Sequence, residues 1–262
     1  MKKIIVVTGA SSGMGVCFAR QLACEKPDEL WIVARRKDRL ENLKKEIESE
    51  KSVKVRVVDI DVSGSEGARR FKAILDVERN SGDFEISVLV NNAGFGTYGE
   101  FADTDTDREM EMVDLNCTSL TGITGFALPY MKKGSRIINT ASLASFLPLG
   151  NFAVYGASKA YVLSLSVALA AELKPRGISV TALCPGPVST EFANVASKGA
   201  REKVRHGLSP EKTVEHAIKA SRRGRLYSMR FFKWKIQAWA SPYVNRYLGA
   251  WFTYKFCKRP SN

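Results

Sequence analysis

Six short runs of β-branched and aliphatic residues recur along the first 184 positions: Ile4–Thr8, Leu30–Ala34, Val53–Asp59, Ser87–Asn91, Arg136–Thr140 and Ile178–Cys184. Several are apolar almost throughout instead of alternating, the pattern of parallel strands covered on both faces. Between them lie stretches of helical character at 14–24, 37–50, 64–80, 106–132 and 153–174. Alternation of this length predicts βαβ units, hence an α/β fold built on one doubly wound parallel sheet with helices on both faces. No repeat, linker or low-complexity segment interrupts the pattern before residue 220. The expected organisation is a single domain over 1–220, with 221–262 as a C-terminal helical extension.

Composition adds little until charge is mapped. Apolar residues make up 45% of the 262 and charged residues 26%, an ordinary soluble balance that excludes a disordered chain, a collagen or a disulfide scaffold. The net charge of +13 is concentrated at one end: the last acid is Glu215, and residues 217–262 hold eleven Lys and Arg with no acid. Five scattered cysteines and two histidines offer no metal-ligand spacing, so no metal site is expected. Unpaired thiols suit a reducing, cytoplasmic setting. The apolar run after Met1-Lys2-Lys3 is too short for a signal-peptide core, and no stretch is expected to span a bilayer, which takes ~20 apolar residues.

Candidate chemistry begins where the first strand meets the first helix. Thr8-Gly9-Ala10-Ser11-Ser12-Gly13-Met14-Gly15 allows a tight turn and a close backbone approach to a pyrophosphate seated on the helix N-terminus. Its spacing is G-x-x-x-G-x-G; in isolation such a turn is also a plain strand–helix connection. The second strand ends Val33-Ala34-Arg35-Arg36, where many NAD sites carry an acid for the ribose 2′-hydroxyl. Two guanidiniums there favour a 2′-phosphate, pointing to NADP(H). Asp61-Val62, after the third strand, is placed to read the adenine edge.

Tyr155-Gly156-Ala157-Ser158-Lys159 sets a phenol and an ammonium at i and i+4 on one helical face. A nearby ammonium favours phenolate and lowers the phenol's pKa, and such a tyrosine can trade a proton with a carbonyl or alcohol oxygen. Ser142, 13 residues earlier and just past the fifth strand, can hydrogen-bond the same oxygen. Spacing alone proves nothing, because Tyr254, Lys258 and Ser241 repeat it. Context separates the sets: only Ser142 follows a strand of the alternating region.

With these motifs in order, residues 3–220 resemble the short-chain dehydrogenase/reductase family. The glycine turn resembles its T-G-x-x-x-G-x-G, Asn91-Asn92-Ala93-Gly94 its N-N-A-G, and Pro185-Gly186-Pro187-Val188-Ser189-Thr190 its nicotinamide-side loop. The resemblance implies a Rossmann-like dinucleotide-binding catalytic domain and an Asn116–Ser142–Tyr155–Lys159 tetrad. Tyr155 would be the proton donor, Lys159 would lower its pKa and bind the nicotinamide ribose, Ser142 would polarise the carbonyl, and Asn116 would hold a water linking Lys159 to solvent. Cofactor contacts are expected from Gly9, Ser11, Ser12, Gly13, Met14, Gly15, Arg35, Arg36, Asp61, Val62, Asn91, Ala93, Gly94, Tyr155, Lys159, Pro185, Gly186, Val188 and Thr190. The implied activity is that of an NADPH-dependent carbonyl reductase or hydroxy dehydrogenase; the competing reading is an idle NADP(H)-binding sensor or scaffold.

Substrate-facing positions are expected at Phe95, Ser142, Ala144, Phe152 and Phe192, with Gly96, Leu143, Phe146, Asn151 and Val195 nearby. They are mostly apolar and uncharged, which suits a hydrophobic ketone, 3-oxoacyl chain or steroid. A homo-oligomer, dimer or tetramer, is expected. The tail holds eleven aromatics between Tyr227 and Phe256. Ser241-Pro242 reads as a helix start, followed by an apolar face of Val244, Tyr247, Leu248, Trp251 and Phe252. Basic residues beside Trp and Phe mark either an interfacial helix on anionic membrane, making the protein peripheral, or a segment packed on the body or in a dimer. Nucleic acid is not an expected partner.

Overall fold

The computed structural model describes residues 1–202 and 207–259, and in it seven parallel strands form one sheet. They are β1 (Lys2–Thr8), β2 (Glu29–Val33), β3 (Lys54–Val58), β4 (Phe84–Asn91), β5 (Arg136–Thr140), β6 (Ser179–Leu183) and β7 (Tyr227–Ser228), in the order β3-β2-β1-β4-β5-β6-β7. Alternate residues of each strand point to opposite faces. Ile5 and Val7 pack with Phe18 and Leu22 of α1 (Gly13–Leu22), Leu40 and Ile47 of α2 (Lys37–Glu50), and Ile218 of α8 (Pro210–Arg222). Ile4 and Val6 pack with Phe71 and Leu75 of α3 (Gly64–Ser81), Ile123 of α5 (Leu120–Ala127) and Leu173 of α6 (Ala153–Leu173). Burial on both faces is why these strands read as continuous apolar runs.

The strand order reverses about β1, whose neighbours are β2 and β4. That reversal opens a crevice at the carboxyl ends of the strands, where open α/β sheets bind ligands. At the other edge Glu29 ties three strands together: Lys2, Lys54 and Trp31 all donate to its carboxylate. Burial alone would raise this carboxyl, but the three hydrogen bonds outweigh it and hold it at about 2.

Three expectations need correction. The helix read across 106–132 is helical without a gap over 106–130 but changes type along its length. It comprises α4 (Thr106–Val113), a π-helical turn Asp114–Ser119, α5, and a single 3-10 turn Leu128–Tyr130. The boundary drawn at 220 falls inside α8, and β7 beyond it pairs with β6 through Ala182↔Tyr227 and Leu183↔Ser228, so the sheet itself extends into the expected appendage. The helix expected from Ser241 starts later. Ser241–Tyr243 is one 3-10 turn after α9 (Phe232–Ala240), the Ser241 hydroxyl donates to Ala238 O, and α10 (Arg246–Phe256) is capped by Asn245, which accepts from Leu248 N at 3.1 Å.

One helix, Ala153–Arg176, does meet the length and apolarity of a membrane span, contrary to expectation. It is α6 with the turn that follows it, and its inner face, with Lys159 and Ser166 buried, packs against the sheet. Its outer face is apolar too, with Tyr161 and Val167 exposed, which accounts for its composition.

Candidate active site

The crevice is lined by the turns that follow β1, β4, β5 and β6. Gly9 takes φ +66°, and a Cβ there would lie 2.8 Å from Ala93 Cα; one on Gly15 would lie 2.0 Å from Gly9 O. The turn after β1 is therefore closed onto its own helix and onto the turn after β4. Thr8 clamps that approach, its hydroxyl accepting from the N–H groups of Asn92 and Ala93. Ser12 precedes α1 in extended conformation and no side chain caps the helix, leaving its N-terminus for an anion. Met14 packs partly buried behind the turn. This cradle fits a pyrophosphate.

The cationic end of the crevice holds more than the two predicted arginines. Arg36 donates to Ser11 Oγ at 3.1 Å and pairs with Glu191 at 3.3 Å; Arg39 pairs with the same carboxylate at 2.8 Å. Arg35 is exposed and lies 3.7 Å from Asp61, whose other oxygen accepts from Ser63 N. Hydrogen bonds from Arg39, then Arg36, hold the Glu191 carboxyl below its usual range. Arg39 and Glu191 were not anticipated; Arg39 lies one helical turn beyond Arg35, a spacing that carries the signal. Val62 is buried beside α3. Asn91 differs from expectation: its side chain donates to Thr124 and Asn139 inside the fold, and it is Asn92 that reaches the carbonyls of Thr8 and Gly9.

Asn116, Ser142, Tyr155 and Lys159 converge beside Gly94. The π-helical turn carries Asn116 inward, where Oδ1 accepts from Phe95 N and Nδ2 donates to Phe95 O and Ser158 Oγ. Wider turns of this kind recur at functional sites. A Cβ on Gly94 would lie 2.6 Å from Asn116 Oδ1 and 3.5 Å from Lys159 Nζ, so only glycine leaves this corner open. Lys159 is 5% exposed and donates to Thr140 O at 2.8 Å, at the end of β5. Burial brings its ammonium down to about 8. Ser142 is set by a capping box: its hydroxyl accepts from Ala144 N, and Ser145 Oγ accepts from Ser142 N while donating to Lys159 O.

Lys159 Nζ lies 5.7 Å from the centre of the Tyr155 ring. Burial pushes the phenol well above its ordinary value; the Ser142 hydroxyl and the charge of Arg259 oppose this, and Tyr98 adds to it. The expected depression by Lys159 is not realised here, because that ammonium is directed at Thr140 O. The phenol is thus protonated across the neutral range, and the grouping can deliver a proton to an oxygen beside Ser142.

Of the expected substrate positions, Phe95, Ala144, Phe152 and Phe192, the first residue of the short helix α7 (Phe192–Ala196), share a cluster with Tyr155, joined by Tyr98 and Met112. Phe152 stacks on Tyr155 with ring centres 4.1 Å apart, and Phe192 and Tyr98 close the box at 5.4 Å from Tyr155 and 4.8 Å from Phe152. Gly96 faces Phe192 and Phe152. Leu143 and Phe146 point elsewhere, into a cluster with Leu120, Cys184 and Met229, and Val195 is exposed. Val188 is buried and bridges to Leu208, Thr190 Oγ1 accepts from Phe192 N, and Pro185 O accepts from Leu143 N.

The tail covers this end of the molecule. The Trp234 ring lies over Gly186, where a Cβ would come within 2.3 Å of it. Tyr254 abuts Gly150, Thr253 Oγ1 accepts from Gly150 N, and Asn151, at φ +59°, donates to Tyr254 O. The repeated Ser241–Tyr254–Lys258 spacing forms no second site: Tyr254 donates to Glu100, Lys258 lies over the Tyr254 ring, and Ser241 bonds its own helix.

Known proteins resemble this chain in sequence and fold. A model of the short chain dehydrogenase family matches residues 3–201. The chain is 35% identical over 204 residues to the NADP-dependent 3-hydroxy acid dehydrogenase YdfG of Salmonella typhi, covering 76% of this chain and 79% of that one. It is 34% identical over 203 residues to a sulfoacetaldehyde reductase of Chromohalobacter salexigens, covering 76% and 78%. A short-chain dehydrogenase from Sphingobium yanoikuyae, solved with NADPH, superposes with a TM-score of 0.80 at 28% identity over 92% of this chain and 94% of that one. With its seven-stranded parallel sheet and closed glycine turn, the chain belongs to the short-chain dehydrogenase family and is a nicotinamide-dependent oxidoreductase.

Proposed function

We propose that this protein is an NADPH-dependent carbonyl reductase or hydroxy dehydrogenase acting on a substrate with an apolar body. The observation that carries the reading is the convergence of Asn116, Ser142, Tyr155 and Lys159 at the open corner beside Gly94. The glycine turn and the α1 N-terminus would hold the pyrophosphate; Ser11, Arg35, Arg36 and Arg39 would hold the 2′-phosphate. When bound, the cofactor supplies or accepts hydride. Ser142 orients the carbonyl oxygen, and Tyr155 gives it the phenolic proton as it becomes a hydroxyl. Lys159 steadies the phenolate left behind, and the aromatic box excludes water. An idle sensor has no use for this grouping. NADPH- and NADP-linked relatives support the cofactor, and their differing substrates leave the carbonyl compound to this chain's own pocket.

We further propose a self-associating, cytoplasmic protein that rests on membrane. Between α3, α5 and α6 runs an apolar groove of about 720 Å³ lined by Val113, Phe126, Val154 and Tyr161, which suits a second copy. On the tail, Phe232 and Trp239 are 75% and 72% exposed, and Tyr243, Tyr247 and Phe252 are exposed as well, among Lys233, Lys235 and Arg246. One side of the tail packs on the body; the outward side suits anionic lipid.

Three outcomes follow. NADPH should bind at least tenfold tighter than NADH in fluorescence titrations, since one charge-assisted phosphate contact contributes roughly 1.5–3 kcal/mol. Arg36→Ala should narrow the gap; equal affinities in the wild type would sink the assignment. Second, the Lys159 ammonium is present below about 8 and lost above it, so kcat/KM for ketone reduction should fall as pH rises through that value. Lys159→Met should be low at every pH. Full activity to pH 10 would contradict the role. Third, the protein should co-sediment with phosphatidylserine vesicles, less so at 1 M salt, and a Phe232→Ser/Trp239→Ser/Tyr243→Ser variant should stay in the supernatant. Wild-type protein that ignores anionic vesicles would end the membrane reading.

A further inference from the structure

The aromatic box that surrounds Tyr155 is capped by a cation. Arg259, from the segment after α10, lies with its guanidinium carbon 5.0 Å from the centre of the Phe152 ring, on a ring that itself stacks against Tyr155. Its Nη1 donates to Gly150 O at 3.2 Å. Among the described residues no carboxylate lies within ion-pair distance of it. Among those residues the half-buried guanidinium has one carbonyl contact for its five N–H donors. Burial lowers its affinity for its proton, as for a cation drawn from water without a paired carboxylate among the described residues.

The surroundings are those of a binding cavity. Arg259 lines a space of about 460 Å³ together with Thr97, Lys198 and Lys258. Glu100 and Asp103 line it as well, and Glu100 is already engaged by Lys258 at 3.5 Å and by Tyr254 at 3.1 Å. Thr97 is 2% exposed and its hydroxyl has no partner. A buried hydroxyl left without a hydrogen bond costs about 1–3 kcal/mol, so a group that satisfies it gains by binding. A second guanidinium stands close by: Arg201 lies over the Tyr98 ring at 5.8 Å and donates to Lys258 O.

We infer that Arg259 is a specificity-determining residue that reads a negative charge on the substrate, so that the carbonyl compound carries a carboxylate or similar anionic group a short apolar chain away from the carbonyl. The inference rests on the reductase reading for the carbonyl end and stands on Arg259, Thr97 and their cavity for the anionic end. The apolar box accepts the chain, the guanidinium takes the acid, and Thr97 supplies a further donor. The tail then serves the site directly, because Thr253 and Tyr254, by holding Gly150 and Asn151, fix the segment that delivers Arg259.

The test separates the two readings. Isothermal titration of the NADPH-loaded protein with hexanoate and with hexanamide, equal in length and differing in charge, reads the anion site without turnover. Wild type should bind hexanoate at least tenfold tighter, about 1.4 kcal/mol. Arg259→Gln should remove that preference while keeping hexanamide affinity, and Arg259→Lys should retain most of it. Equal affinities in the wild type, or a preference that survives Arg259→Gln, would overturn the inference. Turnover is read apart, with 3-oxohexanoate against its methyl ester. Hexanoate preference without reduction of either ketone would fell the reductase reading and leave the anion site standing. Equal kcat/KM for acid and ester, with no hexanoate preference, would do the reverse.

Discussion

A buried ammonium with no carboxylate partner among the described residues organises the working end of the sheet. Lys159 is held by a strand-end carbonyl, Thr140 O, and lies beside the Cys117 and Cys184 thiols, which burial keeps protonated. Removing such a charge from water is costly, and here burial brings its pKa down to about 8 without an acid to offset it. The neighbouring features accommodate that cation. Gly94 keeps a Cβ away from its nitrogen, Ser145 ties its backbone to the Ser142 turn, and the π-helical turn brings Asn116 alongside. A lone cation in a dry corner is positioned to answer a negative charge that forms only during reaction, which is what a proton-donating tyrosine produces.

The fold was legible because its strands are buried on both faces, and each such run carries its own signal. Arg136–Thr140 is found with the bounds the pattern predicts, and the others shift by a few residues at their ends. Two residues, Tyr227 and Ser228, are too few to show a period, so β7 left no trace. The π-helical turn was hidden for a different reason: one extra residue in a turn changes a side chain's direction without changing the apolar content around it. Tyr155, Lys159 and Ser142 were readable because their spacing is local. Arg39 with Glu191, Tyr98 with Phe152, and Arg259 with Phe152 are pairings across the fold that depend on packing.

In the tail the apolar spacing marks the outward face, and the contacts to the body come from other residues. Val244, Tyr247, Leu248, Trp251 and Phe252 do fall at helical spacing, yet all are exposed. The contacts to the body come from Trp234, Thr253, Tyr254 and Arg259, through a glycine notch, backbone hydrogen bonds and a cation over a ring. Shape and hydrogen bonding decide this interface, and neither has a period in sequence. The same segment that closes the site thus keeps an aromatic, basic outer surface.

The claim on which the account turns is that the Tyr155 grouping carries a carbonyl reduction. Deuterium transfer tests it most directly. NADPH labelled with deuterium at either face of nicotinamide C4 is incubated with 3-oxohexanoate or its methyl ester, and the product alcohol is examined by mass spectrometry and NMR. The account predicts label on the carbinol carbon from one face only, with Tyr155→Phe still binding NADPH but slowing transfer by roughly 10²–10⁴. Label from both faces, or transfer undiminished in Tyr155→Phe, would contradict it.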